Sequence, residues 1–195
     1  MRVFHKLYGW CMLRIKKQLE RCIVDMEGDF VLKEAHYERE LCKIVKWQCF
    51  DERYYDAHDG ETYIEIKKGQ GQMFFNMVRY AEIYLKIGTQ DTVTLFLRYS
   101  KKKQRIEEIL IIDTPKILKF LNMNPKKAAW CIILNNDSKR QLHMQASATV
   151  KDMREMSSYI VYHPKSIMDK CIKKIKKFKR KRLKSAVCRK RKCHG

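Results

Sequence analysis

Residues 54–68 read Tyr-Tyr-Asp-Ala-His-Asp-Gly-Glu-Thr-Tyr-Ile-Glu-Ile-Lys-Lys. Asp59-Gly60 lies between two segments of alternating polarity, and both residues tolerate the positive φ that a tight turn demands. The stretch predicts strands over residues 53–58 and 61–67 joined by a two-residue turn. In that register Asp56 faces Tyr63 and Tyr54 faces Glu65. Side chains alternate along each strand, so Tyr54, Asp56, Tyr63, Glu65 and Lys67 share one face. Tyr55, Ala57, Thr62, Ile64 and Ile66 share the other, which is apolar enough to pack on a core. The charged face must then look into a cleft or into solvent.

The segments around the hairpin set the fold class. Phe4, Leu7, Cys11, Ile15, Leu19 and Cys22 recur at helical spacing, and a second helix fits residues 31–45. After Gly69-Gln70-Gly71 a helix is expected over residues 72–87, with a methionine and aromatic stripe (Met73, Phe74, Met77, Tyr80, Tyr84) facing the core. Residues 92–99 and 105–112 read as a strand pair. Asp113-Thr114-Pro115 opens a helix to about Leu121. Residues 128–134 and 142–150 read as two further strands, and a last helix begins near Ser166. The expected architecture is α/β (α+β): a mixed sheet flanked by helices. One core spans residues 1–164, with helices in 1–46 and the hairpin and sheet in 50–150. A basic amphipathic helix and polybasic tail follow in 165–195.

Charge narrows the partners. The net charge is +21, and residues 165–195 carry +14 of it, with 15 bases against the single acid Asp169. Such an imbalance favours nucleic acid first and an anionic membrane surface second. The eight cysteines form no Cys-x-x-Cys pair, and the opening residues show no secretory signal. Reduced, mostly buried thiols in an intracellular protein of the cytoplasm or nucleus are expected. Cys188, Cys193 and His194 lack a second pair of ligands for zinc. No run of residues approaches a transmembrane span. The tail, including Lys179, Arg180, Lys181 and Arg182, suits a DNA-binding arm; it also has the composition of a nuclear-import signal or a membrane-surface helix.

On the charged face Asp56 and Glu65 are expected as diagonal neighbours, about 7–8 Å apart at the backbone. A hard divalent cation can bridge two carboxylates at that separation, and magnesium needs few protein oxygens. The backbone carbonyl of Ile66 offers a third ligand. Lys67 could activate a water or stabilise charge on a phosphate. Lys68, Gln70, Gln72 and Arg79 carry groups suited to phosphate or base edges, although ordinary solvated loop polarity is the better explanation of any single one of them.

Asp56 and Glu65-Ile66-Lys67 on a hairpin, followed by a helix, resemble the PD-(D/E)XK nuclease superfamily, most like type II restriction endonucleases of the PvuII kind. The similarity covers roughly residues 49–121. The family's proline is replaced by Tyr55, which leaves Asp51 and Asp59 as rival first acids. The resemblance implies a restriction-endonuclease-like fold and magnesium-dependent hydrolysis of double-stranded DNA, usually by a homodimer. Asp56 and Glu65 would hold the metal and Lys67 would assist the nucleophile. Glu38 is the candidate for a further glutamate from the preceding helix, and Glu38-Arg39-Glu40-Leu41 is faintly similar to Holliday-junction resolvases. From a different class, a noncatalytic basic DNA-binding protein accounts for the same charge.

Overall fold

The computed structural model describes residues 2–26, 36–50, 55–87, 92–137 and 144–192, and for 2–9, 86–87, 137 and 179–192 it describes the backbone alone. In chain order the elements are α1 (Arg2–Cys22), α2 (Tyr37–Val45), β1 (Gln48–Cys49), β2 (Ala57–His58), β3 (Tyr63–Gly69), β4 (Gln72–Asn76) and α3 (Met77–Glu82), which widens into a π-helical turn over Ile83–Ile87. Then follow β5 (Thr92–Ser100), β6 (Arg105–Asp113), α4 (Thr114–Phe120), α5 (Pro125–Asp137), β7 (Gln145–Thr149), α6 (Val150–Met156), β8 (Tyr159–Tyr162) and α7 (Pro164–Lys192).

Six strands form one mixed sheet in the order β1-β2-β3-β5-β6-β8. Every neighbouring pair is antiparallel except β3 with β5, which run parallel from Tyr63↔Thr92 to Gly69↔Arg98. A parallel pair cannot be closed by a tight turn. The chain covers the distance with β4 and α3, and β4 pairs with β7 in a separate two-stranded sheet.

Helices cover both faces, so the central strands are apolar on both sides. On one side Ile64, Ile66, Leu95, Leu97, Ile109 and Ile111 meet Ile15 and Leu19 of α1 and Leu41 of α2. On the other, Phe96, Leu110 and Ile112 meet Tyr80 and Ala81 of α3, Ile117 of α4 and Cys131 of α5. The parity of β5 divides the layers: odd residues face α1 and α2, even residues face α3. Gly69, at the end of β3, is needed by this packing. A Cβ there would lie 2.8 Å from the Gln72 carbonyl oxygen and 3.0 Å from the Phe96 ring. Gly69→Ala is therefore expected to destabilise the fold by about 1–3 kcal/mol, checked by urea unfolding, because backbone and a fully buried ring must both yield.

Two expected elements differ. Residues 128–134 form the middle of helix α5, not a strand. A short apolar run does not choose between the two. The choice is made at its start, where the Asn124 side chain accepts the Lys127 amide at 3.0 Å and Pro125 takes the first helical position. Residues 72–76 form a strand before α3 begins, because Met73 and Phe75 alternate inward and Gln72, Phe74 and Asn76 outward. The expected helix 31–45 is seen from Tyr37, and residues 31–35 lie outside the described residues. Thiols are less buried than expected: Cys42 and Cys131 are buried, Cys49 and Cys171 exposed, and all the described cysteines are free.

Candidate functional site

The hairpin forms, with a longer turn than predicted. His58 pairs with Tyr63 and Ala57 with Ile64, so four residues, 59–62, make the loop. The Asp59 side chain accepts the amides of Glu61 and Thr62 at 3.1 and 2.9 Å, and Gly60 takes φ +105°. This moves the register by two residues. With a side-chain period of two, an even displacement leaves the β3 residues on their own faces. Tyr55, which precedes β2, instead stacks on Tyr63 at 4.8 Å and so leaves the apolar face expected for it. Ile64 and Ile66 enter the core against α1 and α2, and Glu65 and Lys67 point to the α3 side.

Asp56 stands differently from the expectation. Strand β2 is only two residues long, and Asp56 lies at the bend before it. Its amide donates to the Ile64 carbonyl at 2.9 Å, and its carboxylate accepts the Ile66 amide at 2.6 Å. Beyond the end of β2 that amide has no ladder partner; the Asp56 side chain takes its place. The Ile66 carbonyl receives the Tyr37 hydroxyl at 3.3 Å. The two peptide groups left over where β2 stops are thus satisfied by one carboxylate and one phenol, as buried backbone requires.

Glu65 is the centre of the cluster and is only 5% exposed. Lys67 forms an ion pair with its Oε1. Arg79 of α3 donates from Nη1 to Oε1 at 2.7 Å, and its Nη2 lies 2.5 Å from Oε2 in a contact that leaves Oε2 without an aligned donor. Burial pushes the Glu65 carboxyl up to about 7; Lys67 and Arg79 pull against this, and the nearby Asp56 charge adds to it. Arg79 reaches this point because Asn76 caps α3, its side chain accepting the Arg79 amide at 3.1 Å. Behind the cluster the Tyr80 hydroxyl bonds Thr94 at 3.2 Å, and burial holds that phenol well above its usual range. No protein-family model and no curated protein matches this chain.

Tyr37 is the participant that sequence reading missed. Burial first, then Glu38, Asp56 and Glu65, raise its hydroxyl far above the ordinary phenol range. Glu38, the candidate further glutamate, lies in the first turn of α2 beside Tyr37. Among the described residues no third His, Cys, Asp or Glu joins Asp56 and Glu65 as a metal-binding group. The rival Asp59 is committed elsewhere: Arg14 of α1 clamps it with two hydrogen bonds of 3.0 and 2.9 Å. Asp51 and Tyr54 lie outside the described residues. Lys68 lies 4.5 Å above the Tyr37 ring, and Gln70 and Gln72 are exposed. Arg79 points inward to Glu65 and not outward to a ligand. Lys179 to Arg182 lie in α7, where only backbone is described.

The donor set is chemically suited to a hard divalent cation. It consists of oxygens alone, each now held by the protein: Glu65 Oε2 lies against Arg79 Nη2, Asp56 accepts the Ile66 amide and the Ile66 carbonyl accepts the Tyr37 hydroxyl. Magnesium commonly takes one or two carboxylates and keeps water in its remaining positions.

Proposed function

We propose that the chain is a magnesium-dependent endodeoxyribonuclease of restriction-endonuclease-like fold, acting on double-stranded DNA as a homodimer. One observation carries this reading: a buried carboxylate, Glu65, is gripped by the lysine two residues on, with the Asp56 carboxylate at the adjoining break in the ladder. The order of elements supports it. Helix α2, the antiparallel run β1-β2-β3, strand β4 of the second sheet, helix α3 and a strand parallel to β3 make an α-β-β-β-β-α-β succession around these residues. The net charge of +21 suits a polyanionic substrate.

In this reading Asp56, Glu65 and the Ile66 carbonyl hold the cation. Bound magnesium supplies an activated water and neutralises charge on the phosphate. The rest falls to the chain's own groups. Lys67 presents an ammonium to the attacking water or the phosphoryl oxygens. Arg79 holds the Glu65 carboxylate in place from the next helix. Tyr37 fixes the Ile66 peptide, and so the direction of its carbonyl.

A second reading, a noncatalytic DNA-binding module, is favoured by the charge balance at Glu65, where two cations already offset one anion. Such a network can serve structure alone. Incubation of plasmid and branched DNA with magnesium, beside a Glu65→Ala/Lys67→Ala variant, separates the two. Cleavage by the wild type that the variant loses supports the nuclease. DNA binding without cleavage by either protein supports the binding module. Cleavage of junctions regardless of sequence, with linear duplex left intact, would point to a resolvase.

A further inference from the structure

Helix α7 is held by the wrong edge for an ordinary core helix. An amphipathic helix normally buries its apolar stripe against its own domain. Here the body holds the start of α7 by polar groups. Asp169 pairs with Lys103 at 2.7 Å and with Arg105 at 3.2 Å. Ser166 is buried and lies 3.5 Å from Arg105 Nη2, and the Lys170 ammonium sits 3.9 Å from the centre of the Tyr162 ring. These contacts turn the opposite side outward. Ile167, Met168, Cys171, Ile172, Ile175 and Phe178 fall within an arc of about 140° at 3.6 residues per turn. All six are exposed, from 44% at Ile172 to 62% at Phe178 for the five large ones.

Lysines fill the rest of the circumference. Lys174 borders the apolar arc on one side and Lys176 on the other, and Lys173 and Lys177 lie opposite it. Long lysine stems at such borders can lie along an apolar surface while their ammonium groups reach an anionic one. A second copy of the helix is a poor occupant, since residues 165–195 carry +14 and would be paired with another +14. A DNA duplex would satisfy the lysines and leave the apolar arc in water.

We propose that α7 is an interfacial helix that docks on an anionic lipid surface, its apolar arc entering the headgroup–acyl boundary and its lysines meeting the anionic headgroups. No helix among the described residues is long and apolar enough to cross a membrane, so the contact is peripheral. The proposal is independent of the nuclease reading.

The test uses the full chain, co-sedimented with vesicles of phosphatidylcholine alone or containing anionic phosphatidylserine. At near-physiological salt the anionic vesicles are expected to bind at least about tenfold more protein. Ile172→Gln/Ile175→Gln is expected to abolish most of that binding while gel-shift affinity for DNA changes little, because every charge remains. Both positions are exposed, and circular dichroism checks that the fold is kept. Phe178→Trp should add a blue-shifted emission component on anionic vesicles. Equal binding to neutral vesicles, an undiminished glutamine variant, an unshifted tryptophan, or a solution dimer abolished by the same glutamines would each overturn the proposal.

Discussion

Lys67→Ala is expected to slow magnesium-dependent DNA cleavage by about 10²–10³-fold, the usual consequence of removing one fixed charge from a reacting centre. Lys67 lies on the same face as Glu65 and reaches its carboxylate, so its half-buried side chain places the ammonium beside the proposed cation site. In the proposed nuclease its removal should lower kcat and leave DNA affinity nearly unchanged, since Lys67 is one of 43 Lys and Arg side chains and the rest would remain to supply that affinity. Single-turnover cleavage together with filter binding separates the two quantities. Lys67→Arg should not restore the rate, because a guanidinium cannot act as a compact, adjustable charge at the same point. A variant that cleaves at the wild-type rate would remove Lys67 from the chemistry, and a parallel loss of affinity and rate would make it a phosphate anchor.

Without added magnesium, the Glu65 contribution to stability should fall as pH rises from about 4.5 to about 7, by an amount on the order of 3 kcal/mol at most. The sign follows from Glu65. Its folded value lies above the unfolded one, so the folded state holds a proton that the unfolded state has already released across that window. The contribution is full below the unfolded value and is lost by the folded one. Lys67 and Arg79 reduce the effect, because both favour the charged form. Glu65→Gln should flatten the difference between pH 5 and pH 7.5 in urea unfolding. Magnesium should oppose the wild-type trend by favouring the ionised carboxylate, with a rise in Tm at pH 7.5 that Glu65→Gln lacks. A wild-type slope that survives in Glu65→Gln would assign it to other groups.

The hairpin was legible because Asp59-Gly60 and the alternation after it are local signals. Its turn was not, because the loop length depends on Asp59 binding both its own loop and Arg14, a residue 45 positions away. The shift of two residues keeps the faces of β3 for the parity reason given above, but not that of Tyr55, which lies outside the two-residue β2. At 128–134 apolar content alone does not distinguish strand from helix, and the signal that does, Asn124-Pro125, lies upstream of the run. The 72–76 strand was hidden by a methionine and aromatic pattern compatible with either period. Tyr37 gave no local sign of its role, because its partner Ile66 is 29 residues away.

By itself, the order of residues determined which side chains share a face, where turns are permitted and how the charge is distributed, since each follows from the chain's own periods and composition. Tertiary structure decided the rest. It set Asp56 into the gap left by a two-residue strand, brought Arg79 from the next helix onto Glu65, and buried that carboxylate deeply enough to raise its affinity for a proton. Burial and long-range pairing depend on what the remainder of the chain places nearby, and no local pattern contains that information.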